Sequence, residues 1–259
     1  MKFNFNFNSR GLEALSWRLE AEEKIICSDS HSLLIFVAGQ GSLSVEGRSF
    51  AISQGCAALL RPLAYCIISA HERLEYISIS FSPDCVLREG DPLLGKLSFS
   101  GSANFYEDDS LVNALSDALS GLSTASRLSE EYKHEYALCV MRQILIILLS
   151  HSAAEAVCDS EALGARICEY INENLTGELS LEKIARAFFV SKFYLCRAFK
   201  GYVGSSIHSY IVAKRISLAK SLIDSGESAS AVAYKVGFGD YSAFYRAYVK
   251  HVGAAPTEM

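Results

Sequence analysis

Arginine, lysine and aromatic residues recur here in one short pattern written twice, Arg197-Ala-Phe-Lys-Gly-Tyr-Val-Gly204 and Arg246-Ala-Tyr-Val-Lys-His-Val-Gly253. An arginine fork fits the O6 and N7 acceptors of guanine, and lysine brings a point charge to phosphate. The chemistry these residue types offer is the reading of a nucleic acid duplex. Other chemistries find less material. The six histidines (31, 71, 134, 151, 208, 251) are dispersed with no H-x-H pair, and the eight cysteines include no C-x-x-C, so no metal-ligand set is spelled out and no cofactor is expected. No G-x-S-x-G elbow and no Cys-His motif points to nucleophilic catalysis, and the expectation is a non-enzyme.

The repeated pattern needs helices to carry it. Each copy follows an apolar-Ala pair (Ile184-Ala185, Val232-Ala233), a break, and then a residue able to cap a new helix, Ser191 or Asp240. Helix, tight turn and second helix make a helix-turn-helix, predicted at 180–201 and 228–251. The second turn, Val236-Gly237-Phe238-Gly239, has a glycine for a left-handed residue, whereas the first, Ala187-Phe188-Phe189-Val190, has none. Between the units, Ser206 to Ser225 reads as one helix with Tyr210, Ile211, Ala213, Ile216, Ala219, Leu222 and Ile223 on an apolar stripe. Such a helix spans roughly 30 Å, close to the separation of successive major-groove faces.

This stretch resembles the DNA-binding domain of the AraC/XylS family of bacterial transcription regulators, over residues 160–259. The matching residues include Ser191, Leu195, Arg197, Phe199-Lys200, Gly204, Ser206, Tyr210, Arg215, Ala219, Leu222, Val236-Gly237-Phe238 with Asp240, then Phe244, Arg246, Gly253 and Pro256. Ile207 stands where the family usually has proline, Val249 where it usually has lysine, and the tail after Pro256 is short. The resemblance implies that Phe193, Cys196 and Arg197 of the first recognition helix, and Tyr241, Ser242, Tyr245 and Arg246 of the second, face bases. It assigns Ser191, Lys192, Lys200 and Lys250 to phosphates. Two tyrosines in the second helix imply looser base reading there.

Charge follows the same division. Residues 1–160 carry 12 Lys+Arg against 20 Asp+Glu, whereas 161–259 carry 12 against 9, so an acidic chain of net charge −5 ends in a basic third. The cysteines read as reduced, mostly buried thiols. The start, Met1-Lys-Phe-Asn-Phe-Asn-Phe-Asn, alternates polar and aromatic residues unlike a signal peptide, and the apolar run Ala137–Leu149 is too short to span a bilayer, which predicts a cytoplasmic protein.

Residues 1 to about 100 are punctuated as short strands. Ser32–Val37, Ser42–Val45, Ser49–Ile52, Gly55–Leu60, Tyr65–Ser69 and Leu74–Phe81 are separated by turns at 38–41 and 46–48. Their order resembles the cupin-like sensory domain found N-terminal in many AraC/XylS members. Polar candidates for holding an effector are Arg10, His31, Arg61, Tyr65, His71 and Tyr76, each equally placed to serve as a rim or core residue. From Asp108 to about Ala156 the period becomes helical. One helix runs through Leu111, Leu115, Leu119 and Leu122. A second, from Ser129 through Tyr136, Val140, Ile144, Ile147 and Leu148, is apolar on much of its circumference and needs either the barrel alone or also a second copy. Ser152–Ser160 reads as a hinge, and a helix from Leu163 to Leu175 packs on the first unit.

The expected fold is therefore α+β: a cupin-like β-barrel or sandwich with a helical dimerisation segment (1–155), then an all-α domain with two helix-turn-helix units joined by a long linker helix (160–259). The expected function is sequence-specific regulation of transcription, with activation as the expected sign, under a small-molecule effector or a partner protein. Ile207 and the metal-free, cysteine-rich first half point to the virulence-type branch. Expected partners are promoter DNA, RNA polymerase, an effector and a second copy of the chain, with no membrane. A cupin-type enzyme fused to a DNA-binding tail is the alternative from another class.

Overall fold

The structure, a computed structural model, describes residues 6–9, 12–87, 91, 93, 102–151 and 163–256. Strands come first: β1 (Asn6–Ser9), β2 (Leu12–Glu20), β3 (Glu23–Ile26), β4 (His31–Ala38), β5 (Gln40–Val45), β6 (Arg48–Ser53), β7 (Cys56–Leu60), β8 (Cys66–Ala70), β9 (Arg73–Phe81) and, after the single turn α1 (Pro83–Val86), β10 (Ala103–Glu107). Two antiparallel sheets result, one ordered β1-β2-β9-β4-β7-β10 and the other β3-β8-β5-β6. Strand β4 explains the layering. Its run Leu33-Leu34-Ile35-Phe36 is fully buried, because Leu34 and Phe36 face the smaller sheet while Leu33 and Ile35 face helices.

Those helices are α2 (Asp109–Ala125), capped by the Asp108 carboxylate on Ser110 N, and α3 (Glu130–Ser150). Leu111, Leu115 and Leu119 of α2 and Val140, Met141, Ile144 and Leu148 of α3 pack with Leu33, Ile35, Ile77 and Ile79. The helical C-terminal domain follows: α4 (Leu163–Glu173), α5 (Leu181–Ala187), α6 (Lys192–Val203), α7 (Ile207–Asp224), α8 (Ala229–Lys235) and α9 (Tyr241–Val252). Two separate cores flank α7, one with Ile184, Leu195, Phe199 and Tyr210, the other with Ile216, Val232, Phe244 and Tyr248; Leu218 touches both.

Several expectations shift. Strands β1, β2, β3 and β10 were not read from the sequence, and Tyr65 precedes β8 instead of beginning it. The turn expected at 38–41 contracts to Gly39, because β5 already starts at Gln40. Helix α4 ends at Glu173, and Leu175 is buried beyond it. The seven described cysteines are all free thiols: Cys56, Cys66 and Cys168 are buried, Cys27 and Cys196 half-buried, and Cys85 and Cys139 exposed, so fewer are fully buried than expected. Ser152–Ser160 and Arg10 lie outside the described residues. Among the described residues no helix is long and apolar enough to cross a membrane.

Candidate nucleic-acid interface and an inter-domain cavity

Each recognition helix is built in the same way. In the first unit Ser180 caps α5 on Lys183 N, Ser191 caps α6 on Tyr194 N, and Gly204 closes α6 in the left-handed conformation. In the second, Ser228 caps α8, Asp240 caps α9 on Ala243 N, and Gly253 closes it. The glycine-free first turn puts Phe189 itself in the left-handed region at φ 56°, with the residue 95% exposed.

Burial then sorts the side chains. Leu195, Phe199 and Val203 of α6 and Phe244 and Tyr248 of α9 face inward. The opposite faces expose Phe193, Arg197 and Lys200, and Tyr241, Ser242, Tyr245, Arg246 and Lys250. Arg197 and Arg246 make no ion pair among the described residues. Three candidates have other engagements. Ser191 spends its hydroxyl oxygen on its own helix, and Lys192 pairs with Glu182 at 2.5 Å, both ends well exposed. Cys196 is half-buried against the first core, since it follows Leu195 on the flank of α6, so its thiol is only partly available to a base.

The two domains meet at the β5–β6 hairpin. Glu46 (φ 49°) and Gly47 (φ 85°) form its tip, both in the left-handed geometry of a type I′ turn. The Glu46 carboxylate enters the helical domain, where Lys214 Nζ lies 2.7 Å from Oε1 and the Tyr210 hydroxyl donates to Oε2 at 2.5 Å; Tyr65 N also donates to Oε1 at 3.0 Å. The rings of Tyr65 and Tyr210 lie with centroids 5.0 Å apart, tilted by 50°. Burial, with Glu46 second, holds the Tyr210 hydroxyl well above its ordinary value, and burial pushes the nearby Cys27 and Cys168 thiols up to about 12. These thiols are protonated and unreactive at neutral pH.

Beside this contact lies a cavity of about 290 Å³, walled on one side by Leu15, Trp17, Lys24, Ile25, Leu34, Tyr76 and Ser78 and on the other by Ala213, Ile216, Ser217 and Lys220 of α7 with His251 and Val252 of α9. Lys24 sits over the Trp17 ring, and burial pulls its ammonium down to about 8, against a smaller opposite effect of Glu22. Trp17 donates to Ser78 Oγ at 2.8 Å. The buried Tyr76 hydroxyl has no hydrogen-bond partner among the described residues, and burial raises its pKa.

Of the effector candidates, Tyr76 alone lies in this cavity. Tyr65 belongs to the domain contact, Arg61 lines a smaller cavity of about 170 Å³ with Arg48 and Glu169, and His71 is exposed in the β8–β9 turn. His31 opens β4 with its ring 5.7 Å from Phe81, and burial, then Arg61, lowers its pKa. Sequence reading missed Trp17, Lys24 and Lys220, because the strands β2 and β3 that place the first two were not recognised.

Two family models match the chain in succession: an AraC-like ligand binding domain over residues 26–138 and a helix-turn-helix domain over residues 184–259. The chain belongs to the AraC/XylS family. It is a transcription regulator with a ligand-binding-type N-terminal domain and a helix-turn-helix DNA-binding domain. It is 23% identical over 246 residues to the probable transcriptional regulator LumQ of Photobacterium leiognathi, covering 93% of this chain and 95% of LumQ. It is also 23% identical over 244 residues to the transcriptional activator RhaS of an Enterobacter species, covering 89% and 85% of the two AraC/XylS chains. Among solved structures, apo ToxT K231A from Vibrio cholerae overlaps 96% of each chain at 14% identity with a TM-score of 0.48.

Proposed function

We propose that this regulator is an activator whose effector occupies the cavity between the sheets and α7, in a chain divided into an effector and dimerisation domain (1–155) and a DNA-binding domain (160–259). The observation that carries this reading is that both domains wall the same cavity, so a bound ligand has different contacts when the domains are apart. Apolar side chains cover part of the wall, and Lys24 and Lys220 stand there beside the carboxylates of Glu13 and Asp29; the two ammonium groups would take the anionic end of a ligand with an apolar body. The chain acts in the cytoplasm on promoter DNA and through RNA polymerase, without an enzymatic activity of its own.

The protein carries one tryptophan, Trp17, and it lies in the cavity wall, so its emission reports occupancy. Titration with a medium-chain carboxylate such as decanoate is expected to give a saturable change in Trp17 emission that the Lys24→Ala, Lys220→Ala double variant lacks. Lys24 is a cation below about pH 8 and neutral above it, so affinity for the carboxylate falls as pH rises through that value. Flat emission for every carboxylate at pH 7 would sink this ligand class.

Helix α3 turns Tyr132, Tyr136 and Ile146 to solvent along one side, and Ile146 is 50% exposed. A second copy packs there to form a dimer. In sedimentation equilibrium Ile146→Glu is then monomeric at concentrations where the wild type is dimeric; equal masses for the two would rule this face out.

A further inference from the structure

We infer that Arg215 is a positioning residue that sets the spacing and rotation between the two DNA-reading units. The inference rests on both units reading DNA. Hydrophobic packing by itself leaves the two units weakly joined, since their cores lie on either side of α7 and share Leu218 at their borders. Arg215 supplies a polar connection. From the middle of α7 its Nε donates to Leu175 O at 2.9 Å, Nη2 to Gly177 O at 2.6 Å and Nη1 to Gly237 O at 2.6 Å.

These acceptors belong to different units. Leu175 and Gly177 lie in the segment that follows α4, the helix packed on α6, and Gly237 is the turn between α8 and α9. The three carbonyls lie two to four residues beyond the ends of α4 and α8, outside the helical ladders and near the negative ends of the helix dipoles, so one cation ties the chain after both helices together. The planar fork holds three acceptors in fixed directions, which the single ammonium of lysine does not reproduce. Gly237 shows how closely the parts fit. Its φ is 96°, and a Cβ there would lie 2.7 Å from Arg215 Nη2 and 3.0 Å from Thr176 O. The second turn thus rests on the guanidinium and on the segment that supports the first unit.

A rigid connection between two binding modules raises affinity for one spacing and penalises the others, whereas a loose one accepts many spacings at lower peak affinity. The full chain selects its two-box operator from random duplexes, and wild type, Arg215→Ala and Arg215→Lys are then titrated against that operator with base pairs added or removed between the boxes. A duplex with the first box alone serves as control. Wild-type affinity is expected to drop at least about 10-fold on a change of a few base pairs, while both variants lose about 10-fold on the selected spacing and vary less than about 3-fold across the series. Binding to the first box alone stays within about 2-fold of wild type in Arg215→Lys, which keeps the charge and the stem. A wild type indifferent to the second box overturns the two-unit reading on which the inference rests. A wild type that needs both boxes, with variants that keep its spacing preference or that lose single-box binding equally, overturns the positioning role of Arg215 and leaves the two-unit reading standing.

Discussion

Replacing Arg197 by alanine is expected to lower affinity for the operator on the order of 10- to 100-fold at fixed salt, while affinity for random duplex changes little. The guanidinium stands on the outer face of α6, free of ion pairs among the described residues, and Leu195 and Phe199 anchor that face from behind. A fork so placed can meet guanine without first breaking an internal contact, which separates it from Lys192, held by Glu182. Arg246→Ala should lose less, because Tyr241 and Tyr245 dominate the outer face of α9 and tyrosines read bases loosely. Lys200→Ala should weaken all duplexes alike and reduce the salt slope by about one. Genome-wide occupancy is the decisive readout. Discrete promoter peaks in the wild type that vanish in Arg197→Ala support the assignment, and peaks that persist remove Arg197 from the reading face.

Lys214→Met should destabilise the chain by about 3–5 kcal/mol, since it strands the Glu46 carboxylate in a buried contact. The side chains of Lys214 and Glu46 are only 4% and 11% exposed, so water is a poor substitute for the lost partner. The Tyr210 hydroxyl and Tyr65 N would still donate to Glu46, but neither brings a charge. Removing both charges, in Glu46→Gln with Lys214→Met, is expected to recover most of the loss, because two neutral groups of similar shape replace the pair. Urea unfolding of the two single variants and the double variant gives the coupling directly. A Lys214→Met chain within about 0.5 kcal/mol of wild type would show that the pair is wet and contributes little.

The helical third was legible because its signals are local. Ser191 and Asp240 cap the helices they were expected to cap, Gly204 and Gly253 end them, and the apolar stripe of α7 gave its length to within a residue or two. The domain contact was not legible, because Glu46 read as an ordinary hairpin-tip residue and its partners lie far along the chain. One clue was present. Lys214 and Ser217 fall within the buried arc of α7, among Tyr210, Ile211, Ala213 and Ile216, and a lysine on such an arc asks for a buried acid. The strands β2 and β3 escaped because their alternation is imperfect: Ser16 and Trp17 interrupt the buried positions of β2, and β3 has only four residues. With them went Trp17 and Lys24, and so the cavity. Tyr76 was found because β9, apolar at Leu74, Tyr76, Ile77, Ile79 and Phe81, reads as a strand whichever face is buried.

Helix α7 serves several neighbours at once. Ala213, Ile216, Ser217 and Lys220 wall the cavity, Tyr210 and Lys214 hold the hairpin, and Arg215 spans the two units. On the proposed reading, the wall that faces the ligand and the helix that spaces the two DNA-reading units share the same eighteen residues. A lineage that adapts this wall to a new metabolite also perturbs the helix that orients its DNA-reading units, so its operators are drawn into the same change. Grafting the sheet domain of one relative onto the helices of another meets the same obstacle, for the seam between sensor and reader runs along the side of a helix.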